Sequence, residues 1–541
     1  MDRTVAELIL ASLCERAGSA NENVVLTSAE LAALKALYGA DRSADQKLNL
    51  SAGGSVVARS TAAAPFDPTI SWHPARIQAE TLVCMDFGTS FSKASAALGD
   101  DPDKVPELID ISFGEDFDGR KRFLLPSELF IDGGQIFFGF AAREGFERAE
   151  ADQDRLIDNP KQYMTLGMDV TELRQKSLKS EQDPERCFSQ RDVLVLYLAH
   201  FSRLVKQSLS ESGILDEALL RYAHPGWERA SEQANGKEMK RIMAEAIALA
   251  RLYPSDFSVS LELDRAKKLL AAARIASESD LPYDLLKESV REATAAGAGA
   301  LLATQVGKRQ AFVIVDIGAG TTDIAGCVCV HNAQNGQVRV WEVEPAAKAI
   351  PSAGNVIDNA LQKMILEASS LTAKTIEFER SQHALRRIIR PLKEALFTRG
   401  EITAELPTGE AIPIRLADFL ATPPMVRLFD KIKGSVTEAA FLVAGSDNVV
   451  HLVPTGGGAR LPFLTDLAGG MVQKDGRSLQ LRLRDAMPEA LKEPYPDLVP
   501  VYPQLAVAVG GAVPFLPEQR QSIGEAIADP GKKTLGPVYR S

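Results

Sequence analysis

Two segments in different halves of this 541-residue chain repeat one pattern: an apolar run ends in an acid, a Gly-Thr turn follows, and a strand resumes. In the first, Thr81 to Asp86 leads through Gly88-Thr89-Ser90 into Ser92 to Leu98. In the second, Ala311 to Asp316 leads through Gly318-Ala319-Gly320-Thr321-Thr322 into Asp323 to Val330. Asn335-Gly336, a dipeptide that favours a primed turn, then feeds the alternating Val338, Val340 and Glu342. An internal duplication of strand, Gly-Thr turn, strand and strand limits the fold to an α/β protein built on two like units.

The turns have a chemistry. Glycine lets the backbone come close to a ligand, successive N–H groups form an anion-binding concavity, and the Thr89 or Thr321 hydroxyl adds a donor. Asp86 and Asp316 would repel a phosphate unless a cation lay between, which implies Mg²⁺ held partly through water, because that ion dehydrates reluctantly. A single such turn is commonly a tight turn and nothing more. Two copies in matching strand contexts point to a clamp of two facing phosphate loops. A third glycine cluster, Gly456-Gly457-Gly458, follows the apolar run Val449 to Val453 and precedes Leu461-Pro462-Phe463, which can open a helix.

Composition narrows the alternatives. With 45% hydrophobic and 25% charged residues the chain can bury a large core, enough for three or four lobes at about 150 residues each. A net charge of −11 argues against a broad nucleic-acid footprint, which needs clustered cations, although Arg386, Arg387 and Arg390 form a local basic patch. The five cysteines form no CxxC; Cys327 and Cys329 share one face of a strand and read as reduced structural thiols. The histidines show no metal-ligand spacing. No apolar window is long enough to span a membrane, and the opening Met-Asp-Arg-Thr-Val-Ala-Glu is unlike a secretory peptide, so a cytoplasmic protein is expected.

Residues 1–78 read as a small helical appendage and linker: Thr4 to Glu15 and Thr27 to Tyr38 have helical spacing, and Ser51 to Pro65 is rich in Ser, Gly and Ala. Asp132-Gly133-Gly134 predicts a hairpin between Glu128–Ile131 and Gln135–Phe140. Val193 to Ser210 and Glu228 to Leu252 read as helices, with a further amphipathic stretch over Ser258 to Ser277. Residues 516–541 are polar, punctuated by Pro and Gly, and expected to be a flexible tail.

Three motifs in this order resemble those of the actin-like ATPase superfamily. Asp86-Phe87-Gly88-Thr89-Ser90 is similar to its first phosphate motif, Asp316-Ile317-Gly318-Ala319-Gly320-Thr321-Thr322-Asp323 to its second, and Gly456-Gly457-Gly458-Ala459-Arg460-Leu461-Pro462 to its adenosine motif. Four more segments resemble the nucleotide-binding domain of the seventy-kilodalton heat-shock chaperones: Leu125–Phe130 with Phe138–Ala142, Arg221–Pro225, Glu292–Ala296 and Gly354–Asp358. The resemblance runs from about Thr81 to Phe515.

It implies an α/β, two-lobed actin-like fold of duplicated ribonuclease-H-like domains. The first lobe would span 79–308 with inserted helices at about 231–277, and the second 309–515. It also implies ATP and Mg²⁺ as ligands. Asp86, Gly88, Thr89, Ser90, Gly318, Ala319, Gly320, Thr321 and Thr322 would cradle phosphates, while Lys393, Gly456, Gly457, Gly458 and Arg460 would hold the adenosine. Asp86, Asp316 and Glu292 would bind the metal through water. Lys161 would orient the attacking water, with Glu292, Asp316 and Thr321 completing the catalytic set, and Pro225 would relay nucleotide state.

Departures from the family pattern are also visible. Ala319 replaces a glycine and is tolerable where φ stays negative. Beside Lys393, Glu394 and Phe397 replace an Arg and a Ser, so a base-stacking guanidinium is expected to be missing. After Phe515 the sequence leaves no room for the family's peptide-binding half. The expected role is therefore a slow, Mg-dependent ATPase acting as a nucleotide-gated interaction or assembly factor, with an unknown protein partner met through the N-terminal or inserted helices. A pseudo-ATPase scaffold, an actin-like filament former and a small-molecule kinase are the alternatives; nothing in the sequence marks an acceptor pocket for the last.

Overall fold

The first repeat opens a mixed sheet. In a computed structural model that describes residues 66–73, 76–99, 107–116, 118–149, 151–165, 169–227, 230–301, 309–331, 338–513 and 516–520, β1 (Ile77–Asp86) runs antiparallel to β2 (Phe91–Leu98). β2 pairs with β3 (Glu107–Asp110) and, at its start, with β4 (Leu125–Pro126). The predicted hairpin forms from β5 (Leu129–Asp132) and β6 (Gln135–Phe138). It stops short of Phe140, because α1 (Gly139–Arg148) begins there, after Gly139 turns the chain at φ +54°.

Helices α2 (Val170–Gln175) and α3 (Gln190–Glu211) follow, the latter opened by a reciprocal Ser189/Asp192 capping box. β7 (Glu217–His224) then lies parallel to β1. The predicted insertion consists of α4 (Glu232–Leu252), β8 (Ser260–Glu262), which adds to β6, and α5 (Leu263–Ile275). β9 (Val290–Arg291) pairs in parallel with β7 and leads directly into α6 (Glu292–Leu301).

The second repeat builds a larger sheet with the same local order. β10 (Arg309–Ile317), β11 (Thr322–His331) and β12 (Val338–Val343) form an antiparallel meander, and β13 (Lys348–Ile350) joins β11. Next come α7 (Gly354–Ala368), α8 (Ile376–Arg399), the hairpin β14 (Glu401–Glu405) with β15 (Ala411–Arg415), α9 (Leu416–Leu420) and α10 (Pro423–Ala444). β16 (Val449–Thr455) returns parallel to β10, as β7 does to β1. After α11 (Pro462–Ala468) and β17 (Met471–Lys474), β18 (Arg477–Leu483) lies parallel to β16, as β9 does to β7. In both sheets the acid-ending strand is central, flanked by its meander on one side and parallel strands on the other. Phe312 to Val315 are all buried, as a central strand covered on both faces requires.

The chain closes with α12 (Glu489–Lys492), α13 (Tyr502–Ala512) and β19 (Glu518–Arg520). α13 packs with α6 in a hydrophobic core that draws Cys84 and Ala223 from the first sheet together with Phe312, Cys327 and Val453 from the second. Gly511 permits this contact, since a Cβ there would sit 2.3 Å from Cys84 Sγ. Cys84, Cys327 and Cys329 are buried and in no disulfide.

Two expected boundaries move. Ile70 and Trp72 are buried in the first core, and Trp72 Nε1 donates to Asp284 at 3.1 Å, so the residues just before 78 are core and not linker. β19 pairs in parallel with β12, so the tail expected from 516 starts with an ordered strand. The two N-terminal helices, the linker Ser51–Pro65, the Asn335-Gly336 turn and the chain after Arg520 lie outside the described residues. Among the described residues no helix is long and apolar enough to cross a membrane.

Candidate functional site

The repeat places equivalent residues at equivalent register. Across β1 and β2, Asp86 lies opposite Lys93, whose Nζ donates to Asp86 Oδ2 at 2.7 Å. Across β10 and β11, the matching position opposite Asp316 is held by Asp323. One repeat therefore pairs an acid with a base, and the other sets two acids face to face, an arrangement that repels unless cations are near.

Each turn is braced from outside. Ser127 N donates to Ser90 O at 2.9 Å and its Oγ to Gly88 O at 2.7 Å, while Tyr197 OH holds Ser92 Oγ at 2.9 Å. The Pro126-Ser127 segment thus fixes the first turn. At the second, Gly354 N donates to Gly318 O at 3.1 Å and Asn355 N to Ala319 O at 2.7 Å, so the start of α7 holds the loop. Among the described residues only Arg186, Lys374 and Asp475 are non-glycine positions with positive φ, so Ala319 meets the condition set for it. The third glycine turn lies on the second strand: Gly458 N donates to Ile317 O at 2.9 Å.

The three turns converge. A Cβ on Gly320 would meet Thr89 Oγ1 at 3.0 Å, so the two Gly-Thr turns nearly touch. They enclose a cavity of about 240 Å³. Asp86, Gly88, Thr89 and Ser90 line it from the first turn, Asp316, Gly318, Ala319 and Thr321 from the second, and Gly456, Gly457, Gly458 and Arg460 from the third. Lys393, Glu394 and Phe397 reach it from α8, and Lys161 with Glu292 form its inner wall. Two of the expected residues, Thr322 and Gly320, do not line the cavity. Thr322 is fully buried and its hydroxyl donates to Ser352 O at 2.9 Å, making it a brace for the turn; Gly320 is consumed by the approach to Thr89.

Lys161 stands in a short 3-10 turn, Pro160–Met164, whose start is capped by the Asn159 side chain. Its Nζ donates to Glu292 Oε1 at 2.5 Å, and both residues are buried. Burial pushes the Glu292 carboxyl up, Asp323 and Asp86 push it further, and Lys161 pulls it back. For Lys161, burial alone would lower the ammonium, but Glu292 and Asp86 outweigh it and hold it above its ordinary range. Asp316 is pushed up to about 6, first by burial and then by Asp323 and Asp86, against the pull of Lys93 and a 3.0 Å bond from Thr455 Oγ1. Burial also raises Asp323, whose Oδ2 is buried with no hydrogen-bond partner. At the end of the cavity formed by the two Gly-Thr turns, Asp86, Asp316 and Glu292 stand with Lys93 and Lys161, while Asp323 lines a neighbouring pocket. Among the described residues no three His, Cys, Asp or Glu side chains are grouped so that they could hold a metal ion.

The far end of the cavity differs from expectation. Lys393 Nζ lies 2.7 Å from Asp358 Oδ1. Arg390 and the expected Arg460 both line the cavity, and Arg460 Nη2 donates to Pro500 O at 3.1 Å. Pro225 does not line it, but the adjoining Gly226 packs near Asp323 Oδ1. Lys93 and Arg390, which line the cavity, and Thr455, which bonds Asp316, lie outside the quoted motifs. Lys93 was within reach of sequence reasoning, since counting back across the turn sets it opposite Asp86. No model of a known protein family matches the chain, and no curated protein matches it.

Proposed function

We propose that the chain binds Mg-ATP in this cavity, between two halves built like those of the actin-like ATPases, and hydrolyses it slowly as a nucleotide-gated interaction protein of the heat-shock-chaperone type. The observation that carries this reading is the meeting of two Gly-Thr turns, each following an acid at a strand end, and a triple-glycine turn around one cavity whose wall is the buried Lys161–Glu292 pair. The cluster of Asp86, Asp316 and Glu292 beside the two Gly-Thr turns suits a hydrated divalent cation. Asp86, Asp316 and Glu292 would hold it, and Thr89, Thr321 and the turn amides would hold phosphates. The bound nucleotide supplies the phosphoanhydride bond that is split.

In that setting Lys161, kept charged by its carboxylate neighbours, orients the attacking water and offsets charge developing on the transferred phosphoryl group. Lys93 keeps Asp86 in place. Lys393, Phe397 and the two arginines receive the base. Closure of the halves around the nucleotide converts hydrolysis into a motion that a protein partner reads, with α4 and α5 as its docking surface.

Mg-ATP binding and phosphate release by the purified chain, with Asp316→Ala and Lys161→Ala beside it, tests this. Binding is expected to vanish in the first variant and to persist without turnover in the second. Neither binding nor release by the unmodified chain would end the proposal.

A further inference from the structure

The turn that carries Lys161 is tied to the rest of the chain at few points. The Asn159 side chain accepts from Gln162 N, and Thr165 closes back on Gln162 O. These bonds shape the turn but do not place it. Met164 packs into the first core, and among the described residues two hydrogen bonds reach from residues 160–165 to distant parts of the chain. One is Lys161 Nζ on Glu292 Oε1; the other is Trp227 Nε1, which donates to Met164 O at 2.8 Å. The nucleotide reading gives the second bond no part.

Trp227 is itself held. Its ring stacks on that of His224, with centroids 4.4 Å apart and planes 11° from parallel. His224 is buried at the end of β7, where its Nδ1 lies 2.8 Å from Pro225 O. The parallel registers of β7 set Ala223 beside Asp86 on β1 and His224 beside Arg291 on β9, one residue before Glu292. The indole therefore stands on the strand between the one that ends in Asp86 and the one that leads into Glu292. Its outer side faces α4, where a Cβ on Gly236 would lie 3.8 Å from the ring. An indole combines a broad ring face with a donor at its edge, and a phenyl ring has only the first.

We infer that Trp227 is a positioning residue for Lys161: its indole, seated on His224, holds the Pro160–Met164 turn by Met164 O and so keeps Lys161 Nζ on Glu292 at the cavity wall. The Asp86 strand, Glu292 and the Lys161 turn are thereby held in one frame. Without the N–H, Met164 O loses its donor and the turn keeps only the Lys161–Glu292 bond. The phosphate turns are braced separately, by Ser127 and by the start of α7, so nucleotide binding does not need the indole. The effect on turnover rests on the nucleotide reading; the effect on the turn does not.

The test sets Trp227→Phe, which keeps a ring over His224 and removes the donor, beside the unmodified full chain. Without nucleotide, hydrogen exchange in the Lys161 turn is expected to quicken about fivefold, while β1, β7 and α3 keep their protection. With Mg-ATP, kcat for phosphate release is expected to fall about tenfold and KM to change less than about twofold. Unchanged exchange in the turn would overturn the inference whether or not the chain hydrolyses ATP. In a chain that does hydrolyse it, an unchanged kcat, or a rise in KM that matches the fall in kcat, would overturn it too. Should the smaller ring loosen the first core, benzothienylalanine in place of Trp227, which keeps the shape of the indole and lacks its N–H, decides by the same two measurements. If the unmodified chain neither binds ATP nor releases phosphate, the nucleotide reading fails and the exchange result decides alone.

Discussion

Asp316 illustrates how one residue can be held at the expense of stability. Its folded-state pKa of about 6 stands above the ordinary aspartate value, so the folded chain binds that proton more tightly than the unfolded chain does. The contribution therefore weakens folding as pH rises from about 4 to about 6, and the penalty is fully present at neutral pH. Replacing the carboxylate by Asn keeps an acceptor for Thr455 Oγ1 and removes the charge that faces Asp323 and Asp86. Asp316→Asn is expected to stabilise the ligand-free protein by on the order of 2 kcal/mol at neutral pH, raise its Tm by a few degrees, and flatten the stability profile between about pH 4 and pH 6. It should also lose Mg-dependent nucleotide binding. Calorimetry across that pH range reads the first effect; a variant with unchanged stability at neutral pH would show that this charge is not felt.

At the scale of elements, the turns carry the steric demands. Gly456 has φ +77°, and a Cβ there would lie 2.5 Å from Ile317 O and 2.6 Å from Asp316 Oδ1. Gly456→Ala must therefore shift the third turn away from the second strand. The expected result is a loss of about 2 kcal/mol or more of stability with nucleotide binding lost in parallel, read by denaturant unfolding and by a binding titration. Retained binding would mean that the turn does not form part of the site. These turns were legible because glycine spacing and an acid at a strand end are local signals. Ala311 to Asp316 extends by only a few residues to become β10, and Val449 to Val453 becomes β16. By contrast, Thr455 reaches Asp316 through the parallel register of β10 with β16, which no local pattern specifies. Nor does local pattern reveal β8, whose three residues become a strand only by pairing with β6.

The whole molecule adds a contact that belongs to neither sheet. α8 packs within the core of the second sheet, yet its exposed side reaches the chain around residues 146–154 near the first. Arg387 donates to Ala151 O and lies 5.1 Å from the Phe146 ring, His383 Nδ1 is 3.0 Å from Asp152 Oδ2, and Arg386 is 3.6 Å from Asp154. Two of the three arginines of the basic patch seen in the sequence, Arg386 and Arg387, are thus engaged with a carboxylate and a carbonyl of the chain itself. These contacts join α8 to the chain around residues 146–154 without touching the phosphate turns, so on the proposed reading they would oppose opening. A charged donor on a carbonyl together with a ring contact contributes on the order of 1 to 2 kcal/mol. Arg387→Ala is therefore expected to speed release of a fluorescent ATP analogue by roughly five- to tenfold, with little change in the folding of either core. Stopped-flow displacement measures the rate directly. An unchanged rate would place the barrier to opening at the buried α6–α13 interface, where Gly511 meets Cys84 and the two sheets share one core.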